Sequence, residues 1–328
     1  MLRKSDFPLN TAVFTRSPDD NYHDPVTTLP AALADRVVVL DGGLATRLEA
    51  RGHDLSDSLW SARLLLEDPD EVRAAHADFF VAGAEVATTA SYQVSESGFA
   101  AAGLDAGDSM RALRRSVRLA REAAEAAGGQ RWVAASVGPY GASLADGSEY
   151  RGDYGLSVRQ LRAWHRPRLA VLAEAGADVL ACETIPCLAE VEALALELDA
   201  LGVPAWLSLT TVGAHTRLGE PAAEAYALAA GSDAVVALGA NCCDPADAAA
   251  VVAAVGGRRP VVFYPNSGEV WDAAARDWRG PASLHGIDWS GVSGRGGCCR
   301  VGPELIAAVA ADAGRAGTNG GSPDARPR

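Results

Sequence analysis

Apolar residues in this chain fall into short unbroken blocks, separated by longer stretches in which they recur every three or four positions. The blocks span residues 37–43, 85–93, 132–141, 177–184, 204–211, 234–242, 260–268 and, most weakly, 291–299. Blocks that do not alternate with polar residues predict parallel strands covered on both faces. The stretches between them predict amphipathic helices. In 110–127, Leu113, Val117 and Ala120 share one side, and Arg111, Arg114, Arg115, Arg118 and Glu122 surround the other. Pro69 and Asp70 open a helix that runs to Ala82 and stops at Gly83, and Gly176 ends the helix predicted for 158–175.

Eight strand–helix units predict an α/β fold, a single-domain (β/α)8 TIM barrel over residues 34–313. A doubly wound open sheet is the competitor, but no strand is followed by G-x-G-x-x-G. Asp41, Tyr92, Glu183, Asn241, Cys242, Asn266, Cys298 and Cys299 all close their strands at the C-terminal end. Barrel enzymes keep their active sites on that face. Residues 1–33 read as a polar lead-in outside the barrel. Residues 314–328, rich in Gly, Pro, Arg and Asp, read as a disordered tail.

The 328 residues are 48% hydrophobic and 22% charged, with a net charge of -13. That balance suits a soluble globular protein and argues against nucleic acid as a partner, because phosphate needs a cationic surface. No run of about twenty apolar residues predicts a membrane span. The polar, proline-punctuated start lacks the apolar segment of a signal peptide. Cys182, Cys187, Cys242, Cys243, Cys298 and Cys299 lie in or beside strand blocks, not at the loop spacings of a small secreted domain. A reducing, cytoplasmic setting and metal chemistry fit them better than disulfides. The oligomeric state is left open.

Cys242 ends one strand and the pair Cys298-Cys299 ends another, more than fifty residues later. Three thiolates converging on one point suit a single zinc ion and leave its fourth position open for a thiol substrate. The pair could instead be a vicinal disulfide or ordinary buried thiols. Cys243 faces the other way if its strand continues and reads as core, and Cys182 and Cys187 read as packing residues. Glu183 could merely cap a helix, Asp41-Gly42-Gly43 could be a plain turn, Tyr92 could meet only solvent, and Asn266 reads as a turn residue. His165 reads as structural, and His53, His76 and His215 as surface or loop residues. No strand end carries the lysine that a Schiff-base aldolase would need.

A longer set of motifs runs in order along the chain. It comprises Asp41-Gly42-Gly43-Leu44-Ala45-Thr46, the segment 55–60, Thr89-Ala90-Ser91-Tyr92-Gln93, Ser136-Val137-Gly138-Pro139-Tyr140-Gly141 and the stretch 144–154. His165-Arg166-Pro167-Arg168, Cys182-Glu183-Thr184, Gly239-Ala240-Asn241-Cys242, Tyr264-Pro265-Asn266-Ser267-Gly268-Glu269 and Gly296-Gly297-Cys298-Cys299-Arg300 follow. With these the chain resembles the zinc-dependent homocysteine S-methyltransferases, specifically the S-methylmethionine-using members. The resemblance implies a barrel that moves a methyl group from a sulfonium donor to homocysteine, giving methionine. It implies zinc on Cys242, Cys298 and Cys299, and homocysteine contacts at Asp41, Gly42, Gly43, Tyr92, Glu183 and Asn241. S-adenosylmethionine or betaine as donor and selenocysteine as acceptor are close variants. A zinc- or thiol-binding barrel without turnover is the alternative, motivated by a short segment 282–295 and a glycine- and serine-rich eighth strand.

The chemistry accounts for the residue types. A free thiol, with a pKa of about 8.5, is only a few per cent thiolate at neutral pH, and zinc deprotonates it outright. Attack on a sulfonium methyl releases a neutral thioether, so no general acid is required and no histidine need stand near the site.

Overall fold

The computed structural model describes residues 27–55, 59, 61–272 and 277–316. Eight parallel strands form one sheet: β1 (Val38–Val39), β2 (Val86–Thr88), β3 (Trp132–Val137), β4 (Val179–Ile185), β5 (Ala205–Leu209), β6 (Val235–Asn241), β7 (Val261–Tyr264) and β8 (Gly294–Arg295). Each pairs with its neighbour in sequence, β8 pairs with β1 through Val38↔Gly294, and the bridge Leu40↔Val86 joins β1 to β2. The predicted (β/α)8 barrel is therefore present.

Its interior follows from the two-residue period of a strand. Val38, Leu40, Val86, Trp132, Ala134, Val179, Ala181, Trp206, Ala237, Val262 and Tyr264 form one buried cluster. Their sequence neighbours Val39, Ala87, Val133, Ala135, Leu180, Cys182, Leu207, Leu238 and Phe263 belong to a second, between sheet and helices. Both faces of β1 to β7 are thus dry, which is why those blocks do not alternate in polarity. Extending the inward series by two residues reaches Thr88, Ser136 and Glu183, and by four, past Gly239, Asn241, so polar side chains sit on the dry stack at its C-terminal end.

The helix Leu29–Asp35 straddles the boundary drawn at residue 33, and Leu29, Ala32 and Leu33 belong to the interior cluster. Residues 1–26 of the lead-in and 317–328 of the tail lie outside the described residues, as do 56–58 and 60 of one motif. The last helix, Pro303–Ala316, runs past residue 313.

Three local expectations are corrected. The second strand stops at Thr88, short of residue 93, because side chains replace the ladder: Ser136 N donates to Thr89 Oγ1 (3.0 Å) and Ser91 Oγ donates to the Ser136 carbonyl (2.7 Å). The helix expected to start at Met110 starts at Ala106, behind a capping box of Asp105 and Asp108. His76 is fully buried in the helix Pro69–Val81, not on the surface or in a loop, because it falls on the face that carries Val72, Ala75, Phe79 and Phe80.

The eighth strand is short, yet hydrogen-bonded on both sides. Its glycines answer a close approach: a Cβ on Gly294 would stand 2.7 Å from Val262 Cγ1, and one on Gly296 2.7 Å from Leu40 Cβ. The weak apolar signal here reflects crowding, not a missing strand.

Candidate active site

All nine residues singled out from the sequence line one cavity at the C-terminal mouth of the barrel: Asp41, Gly42, Gly43, Tyr92, Glu183, Asn241, Cys242, Cys298 and Cys299. The sulfurs of Cys242, Cys298 and Cys299 lie within 4.8 Å of one another. Cys242 Sγ is 2.6 Å from Cys298 Sγ and 4.0 Å from Cys299 Sγ, and all three cysteines are free thiols. Tetrahedral thiolate sites with metal–sulfur bonds of about 2.3 Å set their sulfurs about 3.8 Å apart. The donor set fits a soft divalent ion once the closer pair opens by about 1 Å.

The turn bearing Cys298 and Cys299 is fastened to its surroundings. Cys298 N donates to the Pro265 carbonyl (2.7 Å), Cys299 N to Asn266 Oδ1 (3.2 Å) and Gly297 N to the Asp41 carbonyl (3.1 Å). Asn266, read from the sequence as a turn residue, therefore also orients Cys299. Gly42 and Gly43 are needed for packing here: a Cβ on Gly43 would meet the Cys298 carbonyl oxygen at 2.4 Å, and one on Gly42 the Val301 carbonyl oxygen at 2.4 Å.

Cys242 and Thr184 solve a geometric problem. Asn241 and Glu183 occupy inward positions, so a strand continuing past them would aim the next side chain outward. Both next residues instead adopt left-handed backbone, with φ of 49° at Cys242 and 62° at Thr184, and both line the cavity. For non-glycine residues this conformation costs about 1–3 kcal/mol and concentrates at functional sites. Asn241 offsets part of the cost at Thr184, accepting from its backbone N–H (2.7 Å) and donating to its hydroxyl (2.8 Å).

Three carboxyl groups line the cavity. Asp41 accepts from Thr88 N (2.7 Å) and Thr88 Oγ1 (2.8 Å), and burial pushes its carboxyl up to about 8 against those bonds. Glu183 accepts from Ser136 Oγ and from Tyr264 Oη (3.0 Å), and burial raises it to about 7. Tyr264 Oη in turn accepts from Trp206 Nε1 (3.0 Å), on the dry floor. Glu149 is a third carboxyl in the lining, raised by burial, with Oε2 lacking a hydrogen-bond partner. No lysine or arginine lines the cavity among the described residues. Within the thiol cluster Cys299 is held well below the ordinary range by hydrogen bonds from Cys242 and Cys298.

Thr88, Ser136, Thr184, Glu149, Tyr150 and Tyr264 were not assigned to the site from the sequence, although all but Thr88 fall in its ordered motifs. Thr88 and Ser136 stand at inward positions legible from strand period. Glu149 and Tyr150 come from the short helical turn Ser148–Tyr150, where no periodicity exists to read. Cys243 and Cys182 lie in the outer core and Cys187 is buried, as expected of packing residues, and His165 pairs with Glu190 (2.8 Å) away from the cavity.

A profile described as Homocysteine S-methyltransferase matches residues 38–313. The homocysteine S-methyltransferase of Escherichia coli strain K12 is 47% identical over 300 residues, covering 85% of this chain and 97% of that protein. The homocysteine S-methyltransferase YbgG of Bacillus subtilis strain 168 is 42% identical over 299 residues, covering 84% and 94%. Among solved structures, the metallated form of the homocysteine methyltransferase MmuM from Escherichia coli superposes with a TM-score of 0.75 at 46% identity, covering 86% of this chain and 98% of that one.

Proposed function

Since the chain belongs to the homocysteine S-methyltransferase family, we propose that it uses zinc on Cys242, Cys298 and Cys299 and takes the methyl group from S-methylmethionine. Methyl transfer to homocysteine is the activity, and a metal site accompanies it. The observation that carries the zinc reading is three free thiols within 4.8 Å at the edge of a cavity. When bound, zinc supplies the positive charge that keeps the homocysteine sulfur a thiolate at neutral pH. That sulfur displaces the donor in line: a sulfur–carbon bond forms to the methyl group as the donor's carbon–sulfur bond breaks. The bonding pair leaves with the donor as a neutral thioether, so methionine is both product and leaving group with S-methylmethionine.

The remaining roles belong to side chains. Asp41 and Glu183 offer carboxyl oxygens to the homocysteine ammonium, whose positive charge favours their ionised forms against burial, and Tyr92 closes the same wall. Gly42, Gly43 and Asn241 complete the pocket by permitting close backbone contact and by holding Thr184. An acidic lining with no lysine or arginine among the described residues favours a donor with a cationic sulfonium.

Zinc-loaded protein is assayed for methionine formation from homocysteine with S-methylmethionine, S-adenosylmethionine and betaine in parallel. Fastest turnover with S-methylmethionine, abolished by a chelator and restored by zinc, supports the reading. Equal or faster turnover with another donor overturns the donor assignment, and turnover indifferent to chelation overturns the zinc assignment.

A further inference from the structure

The left-handed backbone at Cys242 has to be held by something, and the structure identifies it. Thr210, just beyond β5, donates from Oγ1 to the Cys242 carbonyl oxygen (3.2 Å). Arg217 donates from Nη2 to the same oxygen (3.3 Å) and from Nε to Thr210 Oγ1 (3.1 Å). The three groups close a ring of hydrogen bonds around one carbonyl. Thr210 is fully buried and Arg217 half-buried.

Arg217 follows a two-stranded hairpin, Thr211–Val212 with His215–Thr216. The hairpin is fixed independently: Thr211 Oγ1 (2.8 Å) and Gly213 N (3.1 Å) both donate to Asp247, just after the Cys242 turn. On its other side the Arg217 guanidinium lies 5.3 Å from the ring centroid of Tyr150, which lines the cavity. One side chain therefore touches the backbone of a proposed ligand and the wall of the cavity mouth.

We propose that Thr210 and Arg217 are positioning residues that clamp the Cys242 carbonyl and so keep its sulfur turned toward Cys298 and Cys299. The clamp rests on the reading of these thiols as the metal ligands. Freed from it, Cys242 relaxes toward extended backbone, which the alternation of β6 would aim away from the cavity. Partners outside a ligand set commonly change metal affinity by about 10–100-fold.

The test measures zinc affinity by competition with a chromophoric chelator, for the full chain and for Thr210→Val, Thr210→Ser, Arg217→Lys and Arg217→Ala. Unfolding midpoints of the metal-free proteins and the cobalt–thiolate absorption of cobalt-loaded samples accompany it. The expected result is zinc binding about 10–100-fold weaker in Thr210→Val and Arg217→Ala, smaller losses in Arg217→Lys, affinity near wild type in Thr210→Ser, and altered cobalt spectra in step with affinity. Affinities and spectra equal to wild type, whatever the unfolding midpoints do, overturn the clamp. If Arg217→Ala does not fold, Thr210→Val and Arg217→Lys decide by the same criteria. A wild-type protein that takes up no zinc overturns the metal reading, and the clamp with it; intact wild-type binding with unaffected variants overturns the clamp alone.

Discussion

Replacing Tyr264 by Phe removes one oxygen and tests the network beneath the site. The ring stays, so packing against Trp206, at a centroid distance of 6.2 Å, is kept. Two bonds go: Trp206 Nε1 loses its acceptor and Glu183 Oε2 loses a donor, each at 3.0 Å. A buried donor left unpaired costs roughly 1–3 kcal/mol, and a hydrogen bond to a charged group contributes roughly 1.5–3 kcal/mol. Because both bonds share one hydroxyl, they do not simply add, and a loss of about 3 kcal/mol is expected. The pH dependence carries more information. Burial holds Glu183 near 7 in the metal-free fold, with the Tyr264 hydroxyl pulling it down. A carboxyl raised on folding keeps its proton while the unfolded chain has lost it, so stability falls as pH rises from about 4.5 through the folded pKa. Without the hydroxyl that window extends upward, and the loss grows between pH 5 and pH 8. Urea unfolding of metal-free protein at both pH values measures it, with Tyr226→Phe as control, whose hydroxyl donates to the Gly239 carbonyl (2.8 Å). A loss below about 1 kcal/mol, or one equal at both pH values, would refute the reasoning.

His76→Leu should stabilise the protein in acid: burial depresses His76 from 6.5 to about 4 and neither ring nitrogen has a partner among the described residues, so wild type loses stability as pH falls through that window. The gain at pH 5 over that at pH 7.5 should be about 2 kcal/mol, read from unfolding at the two pH values; equal effects would count against it. Gly239→Ala should cost about 3 kcal/mol or yield insoluble protein, since the new Cβ would stand 1.7 Å from the Val262 carbonyl oxygen; an unchanged unfolding midpoint would contradict the register of β6 on β7. Cys298→Ser should drop zinc well below one per chain and lower methyl transfer by more than about a hundred-fold, whereas Cys243→Ser should keep its zinc; metal analysis after gel filtration separates the two.

The barrel was legible because its physics is periodic. Unbroken apolar blocks mark strands covered on both faces, and polar residues at their ends mark the mouth. The three thiols, Asp41 and Glu183 could be found that way, since each sits where a strand leaves the dry interior. Tyr264 could also have been found, standing two residues beyond Val262, but an aromatic ring inside an apolar block reads as core. Thr210 and Arg217 carry no periodic signal: their relevance lies in hydrogen bonds to a carbonyl, and backbone partners leave no mark on composition. The eighth strand was underestimated for the opposite reason, because Gly294 and Gly296 yield side-chain volume to Val262 and Leu40.

The same periodicity explains why strain gathers where it does. A strand offers the mouth one side chain in every two residues, and this site draws two consecutive residues from β4, Glu183 and Thr184, and two from the end of β6, Asn241 and Cys242. On these two strands a left-handed turn after the inward residue supplies the second, and it appears at Thr184 and at Cys242. Glycine would adopt that backbone more cheaply, but glycine brings neither a hydroxyl nor a thiol. The cost is instead met by neighbours: Asn241 holds Thr184 through both amide atoms, and Thr210 with Arg217 holds the Cys242 carbonyl. Thr210 and Arg217 lie just beyond β5, the strand paired with β6, and Asn241 on β6 reaches Thr184 on β4 across β5, so the pairing of β4, β5 and β6 fixes the turns as firmly as it fixes the sheet. Rigidity of the barrel is thereby carried into the arrangement of the thiols, although none of the three cysteines lies within a strand.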